Sequence, residues 1–128
     1  MRLVTPPPAE EAIADTERVL GWRLSKSLRD LYAHSDGLTD EWDYAYVLPI
    51  SDLGRQNEHL RTASGNLYMS FDDLILFGQL GNGDMLFQPR VPQDNENVFI
   101  WDHEDDSRTW FATDVADALR RLAAGQSQ

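Results

Sequence analysis

The chain contains no cysteine. It can therefore form no disulfide, needs no oxidising compartment to fold, and has no thiolate for a zinc site. No apolar run approaches the roughly 18 residues that mark a membrane-spanning helix. The opening, Met1-Arg2-Leu3-Val4-Thr5-Pro6, lacks the apolar stretch of a secretory signal, so a cytoplasmic protein is expected. Basic residues are scarce: 11 Lys and Arg stand against 22 Asp and Glu, for a net charge of −11. Nucleic acid and anionic lipid repel such a chain, which removes both as expected partners, whereas a basic protein is attracted to it. Internal repeats, low-complexity segments and linkers are missing too, so residues 1–128 read as a single domain. With 41% hydrophobic residues, that domain has the material for an ordinary core.

Catalytic motifs are equally scarce. Gly81-x-Gly83 follows an expected strand but precedes another strand, so no helix N-terminus is there to hold a phosphate. The serines and threonines lack nucleophile-elbow spacing. Asp72-Asp73 precedes a hydrophobic strand, where paired acids act as gatekeepers against aggregation. Asp102-His103-Glu104-Asp105-Asp106 offers metal-type ligands, but adjacent residues do not easily converge on one ion without help from elsewhere, such as His34 or His59. A solvated turn is the expected reading. No enzyme activity, no metal and no cofactor is expected; the alternative from another class is a small metal-dependent hydrolase using the His103 turn.

What is present reads as an α+β order: a largely antiparallel central sheet flanked by N-terminal and C-terminal helices. Ala9, Ile13, Thr16 and Leu20 recur at helical spacing behind Pro6-Pro7-Pro8, with Gly21 as the stop. Ser25 can cap a second helix whose inner face carries Leu28, Leu31 and Tyr32. Trp42, Tyr44, Tyr46 and Leu48 alternate as in a strand, and a short helix is expected over 52–61. Leu74–Phe77 and Val98–Trp101, apolar on both faces, are predicted to be adjacent central strands. Asn82-Gly83 favours a tight hairpin turn into Met85-Leu86-Phe87. Thr109–Ala112 returns antiparallel after the acidic turn, and Asp114 caps a last helix with Val115, Ala118, Leu119 and Leu122 inward. Residues 125–128 are expected to fray.

Two windows contain acid but no Lys or Arg. Residues 30–54 hold Asp30, Asp36, Asp40, Glu41, Asp43 and Asp52; residues 91–107 hold Asp94, Glu96, Asp102, Glu104, Asp105 and Asp106. Clustered like charge costs self-repulsion, so it either keeps the protein soluble or meets a basic partner. Trp22, Trp101 and Trp110 read as core. Trp42 lies inside Asp40-Glu41-Trp42-Asp43, and an aromatic flanked by acids is either the edge of the core face or an interface anchor. The expected partner-binding residues are Asp40, Glu41, Trp42, Asp43, Glu104, Asp105 and Asp106.

Two signatures at opposite ends of the chain carry a family resemblance. The first is Ile13, Glu17, Leu20-Gly21, Leu24, Leu28, Leu31-Tyr32 and Asp36-Gly37; the second runs from Phe77-Gly78 through Gly83-Asp84 to Asn97–Glu104. Together they resemble the SUKH superfamily over roughly Ile13 to Leu122. The resemblance implies an α+β domain with a sheet flanked by helices and no catalytic residues. It implies a bacterial immunity protein that binds a cognate toxin, here expected to be basic. The superfamily also includes a yeast regulator of cell-wall glucan synthesis, so a regulatory or scaffolding domain without a toxin is the alternative. Ser25 stands where the family usually has proline, and Asp36 where it has asparagine before Gly37; both substitutes keep the turn chemistry.

Overall fold

The computed structural model describes residues 2–63, 69–90 and 95–125. Seven strands form one antiparallel sheet in sequence order: β1 (Arg2–Leu3), β2 (Leu38–Thr39), β3 (Ala45–Val47), β4 (Leu74–Gln79), β5 (Met85–Pro89), β6 (Val98–Trp101) and β7 (Arg108–Ala112). Four helices, α1 (Glu10–Leu20), α2 (Lys26–His34), α3 (Ile50–Ala63) and α4 (Val115–Ala123), complete the described α+β domain. β4 and β6 are not adjacent as expected, because β5 lies between them. The reason is local. The Gly81–Asp84 turn is too short for anything but antiparallel return beside β4, and Leu86 and Phe87 are themselves buried on opposite faces.

Period-two alternation sorts the strands onto two cores. Ile75, Phe77, Leu86, Val98, Ile100 and Phe111 meet Leu20, Leu28, Tyr32, Leu53 and Val115 from the four helices. Leu76, Phe87 and Trp101 point the other way, where Phe71 closes on them and α3 reaches them through Leu60. Tyr32 is fully buried and its hydroxyl donates to the Leu48 carbonyl at 2.5 Å; burial pushes its ionisation well above the ordinary range.

The helix ends follow their sequence signals. Gly21 takes φ +73°, and the amides of Gly21 and Trp22 return to the Glu17 carbonyl, closing α1. Arg61 and Arg90 donate to the Leu20 and Gly21 carbonyls there, and Arg90 lies 4.8 Å over the Trp22 ring. Ser25 Oγ accepts from the Leu28 amide, as the capping expectation required. Asp36 does more than shape a turn. Its carboxylate accepts from the Ile50 amide and starts α3, which runs longer than the expected 52–61. Next to it, Gly37 combines φ +98° with a would-be Cβ only 2.4 Å from the Val47 carbonyl oxygen, so a side chain there has neither room nor a relaxed backbone.

Asp114 accepts from the Asp117 amide, and Asp117 reaches back to the amide and hydroxyl of Thr113, a reciprocal cap on α4. The Thr113 amide is the leading cause that lowers Asp117 to about 2 from an ordinary 3.8, with Arg121 adding to it. A depressed carboxylate stabilises above its unfolded value and loses that contribution as pH falls towards about 2. Asp117→Asn is therefore expected to flatten the decline of the urea midpoint over that acid range. Residues 64–68, 91–94 and 126–128, with Asp94 and most of the expected fraying end, lie outside the described residues.

Candidate functional site

A meander of antiparallel strands puts alternate connections at the same end of the sheet. The β2–β3 turn (40–44), the β4–β5 turn (80–84) and the β6–β7 turn (102–107) therefore form one rim. Contacts knit them together. Tyr44 Oη accepts from the Gly81 amide at 2.8 Å, joining the first turn to the second. His103 reaches Asp84 at 2.7 Å, joining the second to the third. All seven residues expected to bind a partner lie in the first and third turns of this rim.

The first turn is tightly built. Asp40 Oδ1 accepts from the amides of Trp42 and Tyr44, while the Asp40 amide donates to the Tyr44 carbonyl. Asp43 sits at φ +65°, a conformation aspartate tolerates, and Arg2 from β1 donates to both the Asp43 carboxylate and the Asp40 carbonyl. On this frame Trp42 is 81% exposed. The alternation that placed it in a strand does not hold, since β3 begins only at Ala45, once the Asp40-centred turn has ended. Tyr46 lies in β3 whereas Tyr44 ends the turn, and the two rings meet edge-to-face at 5.9 Å.

The third turn uses its acids in two ways. Glu104 and Asp105 are exposed, the latter held below the ordinary aspartate range chiefly by its hydrogen bonds from Ser107. Asp106 turns inward. It accepts from the Met69 amide and from Trp101 Nε1, and it pairs with Arg108 at 3.2 Å. Burial works to raise its carboxyl, but these donors outweigh burial and hold it below the ordinary value. Trp101 is core as expected, whereas Trp110 is 46% exposed, with its indole on Asn97 and Arg121 5.6 Å over its ring.

The acid windows are less uncompensated than their sequence implied, because their counter-charges come from outside them. Lys26 meets Asp30, Arg55 meets Asp52, Arg2 meets Asp43 and Arg108 meets Asp106. Glu96 is consumed by the amides of Lys26 and Ser27 at the start of α2. Glu41 and Glu104 form no ion pair among the described residues.

Asp84, Asp102 and His103 bring their ligand-type atoms within 4.8 Å of one another. Asp84, distant in sequence and 3% exposed, is the residue that converges on the His103 turn, in place of the expected His34 or His59. Its Oδ1 is already engaged by the His103 amide and ring nitrogen, so the set is a hydrogen-bonded clasp as it stands. At the far side of the fold an open cleft of about 830 Å³ lies between α1 and α2, walled by Ile13, Glu17, Arg23, Lys26 and Glu96. Its charges are mixed, and no nucleophile is paired to a base among its described lining residues.

The model of the SMI1/KNR4 family (SUKH-1) matches residues 7–121, most of the chain. The chain belongs to that family. Both resemblance signatures fall inside the match, and several of their residues have clear physical roles in this SUKH-1 domain. Glu17 accepts from the Leu24 amide, Asp36 starts α3, Gly37 admits the Val47 carbonyl, and Asp84 clasps His103. A search of curated proteins returns no match. Among the described residues no helix is long and apolar enough to cross a membrane.

Proposed function

We propose that this SUKH-1 domain is a non-enzymatic binding protein that docks a basic protein on the rim, and that it serves as a bacterial immunity protein neutralising a cognate toxin. The observation carrying this reading is Trp42, 81% exposed on a hydrogen-bonded turn among carboxylates. An exposed tryptophan has a cost in water, and a rigid turn reduces the entropy lost when it docks. Glu41, Glu104 and Asp105 would steer the partner, while Asp40, Asp43 and Asp106 hold the turns in shape. The cytoplasm is the proposed location. A regulatory or scaffolding role fits the same family match; a toxin gene directly beside this one would decide for immunity.

The test is binding kinetics against the protein encoded alongside, at two salt concentrations, with cell survival on co-expression as the biological readout. Charge reversal of Glu41, Glu104 and Asp105 together is expected to slow association on the order of tenfold to a hundredfold at low salt, and less at high salt. Trp42→Ala is expected to act on dissociation instead, costing about 2 kcal/mol, roughly thirtyfold in affinity. Asp106 is unsuitable for this test, since its loss would release Met69, Trp101 and Arg108 together. Association indifferent to salt and to these reversals would reduce the acidity to a solubilising role.

A further inference from the structure

We propose that His103 latches the middle turn of the rim to the third, and that its protonation sets how firmly that middle turn is held. The geometry is specific. The His103 ring packs against Gly83, where an added Cβ would stand 2.9 Å from Nδ1 and 3.0 Å from Cε1. Gly83, at φ +97°, therefore both shapes the turn and clears the space for the ring. Nδ1 meets Asp84 Oδ1 at 2.7 Å, and the His103 amide donates to the same oxygen at 3.2 Å. Asn82 Nδ2 donates to the other Asp84 oxygen, so the carboxylate holds its own turn through Asn82 and the β6–β7 turn through His103.

The charges around the ring have one sign. Asp84 faces it from the β4–β5 turn, Asp102 and Glu104 face it from its own turn, and Asp105 acts on Asp84. The hydrogen bond to Asp84 is the leading cause that raises His103 above its ordinary value; partial burial opposes this, and the three carboxylates add to it. Asp84 is 3% exposed, and burying a carboxylate beside a neutral ring is costlier than burying it beside an imidazolium. A neutral ring also keeps the 2.7 Å bond only in the tautomer with hydrogen on Nδ1.

The sign follows from the raised value. The latch contributes fully below the unfolded histidine value of about 6.5 and is lost as pH rises through the higher folded value. Above that point the rim also loses one positive charge. Its consequence for binding rests on the proposed rim, but the experiment needs no partner, so either idea can fail alone.

In the free protein, the His103 ring, identified by its absence from His103→Asn, is expected to titrate above about 6.5. The Gly83 and Asp84 amide shifts should follow the same midpoint, and the urea midpoint should fall through it. His103→Asn places an amide N–H near the Nδ1 position without a titrating group, and should abolish that fall while keeping the fold. Asp84→Asn should bring the His103 midpoint down. A His103 midpoint at or below about 6.5, silent turn amides, or an unchanged pH slope in His103→Asn would overturn the latch.

Discussion

Ile100→Asp is expected to abolish folding at room temperature. Ile100 is 2% exposed in β6, paired with Leu86 on one side and Thr109 on the other, and belongs to the larger core. A carboxylate there loses its hydration inside a cluster of aliphatic and aromatic side chains, whose one buried side-chain donor, the Tyr32 hydroxyl, is already committed to the Leu48 carbonyl. Burying an unpaired charge costs several kcal/mol even after relaxation, against a total stability of about 5–15 kcal/mol for a domain of this kind. Protonating the aspartate lessens the penalty but still leaves a hydroxyl to satisfy. Ile100→Val, as the control, removes one methylene and should cost about 0.5–1.5 kcal/mol. Circular dichroism with urea titration distinguishes the two: a cooperative transition near the wild-type midpoint for the aspartate variant would contradict the placement of β6 at the centre of the core.

Asn57→Ala is expected to be strongly destabilising. β3 pairs with β4 at Val47 and Gly78, so among the described residues no strand lies beside Leu76 on the side away from β5. Asn57, 3% exposed in α3, takes the place of that strand. Its Nδ2 donates to the Leu76 carbonyl and its Oδ1 accepts from the Leu76 amide, each at 2.8 Å, while Nδ2 also donates to the Leu53 carbonyl. Arg61 continues the line by donating to the Leu74 carbonyl. Alanine would leave two buried backbone groups unpaired, at about 1–3 kcal/mol each. Thermal melting should show a drop on the order of 10–20 °C. Asn57→Asp keeps only the acceptor and introduces charge, so it should be worse than alanine. A melting point within a few degrees of wild type would mean that water replaces the amide at this edge.

Much of the candidate site was legible locally and little of it globally. The Asp40–Asp43 and Asp102–Asp106 turns stand out in the sequence because acid, aromatic and turn residues cluster there, and clusters are visible without coordinates. Their meeting at one end of the sheet depends on strand order, which neither cluster encodes. Asp84 drew attention only as part of the Gly83-Asp84 motif, since a single aspartate after Asn-Gly reads as turn chemistry. Its burial against His103 comes from the pairing of β5 with β6. Trp110 shows the opposite error: its place in a paired strand made it read as core, but the described structure leaves the outer part of β7 exposed.

The sequence by itself determined the α+β class, through periodicities that run along whole elements, and the helix caps at Ser25 and Asp114, the Gly21 stop and the Gly81–Asp84 hairpin, each of which depends on residues within one turn of chain. It also determined the excess of acid and the lack of cysteine, which bound the kind of partner and chemistry. Only the tertiary structure decided which acids remain outward. Arg2, Lys26, Arg55 and Arg108 all lie outside the acid windows, yet they reach Asp43, Asp30, Asp52 and Asp106 once the chain is folded. Charge compensation acts through space over a few ångströms, and a linear count of charges cannot register distances that strand pairing and helix packing create.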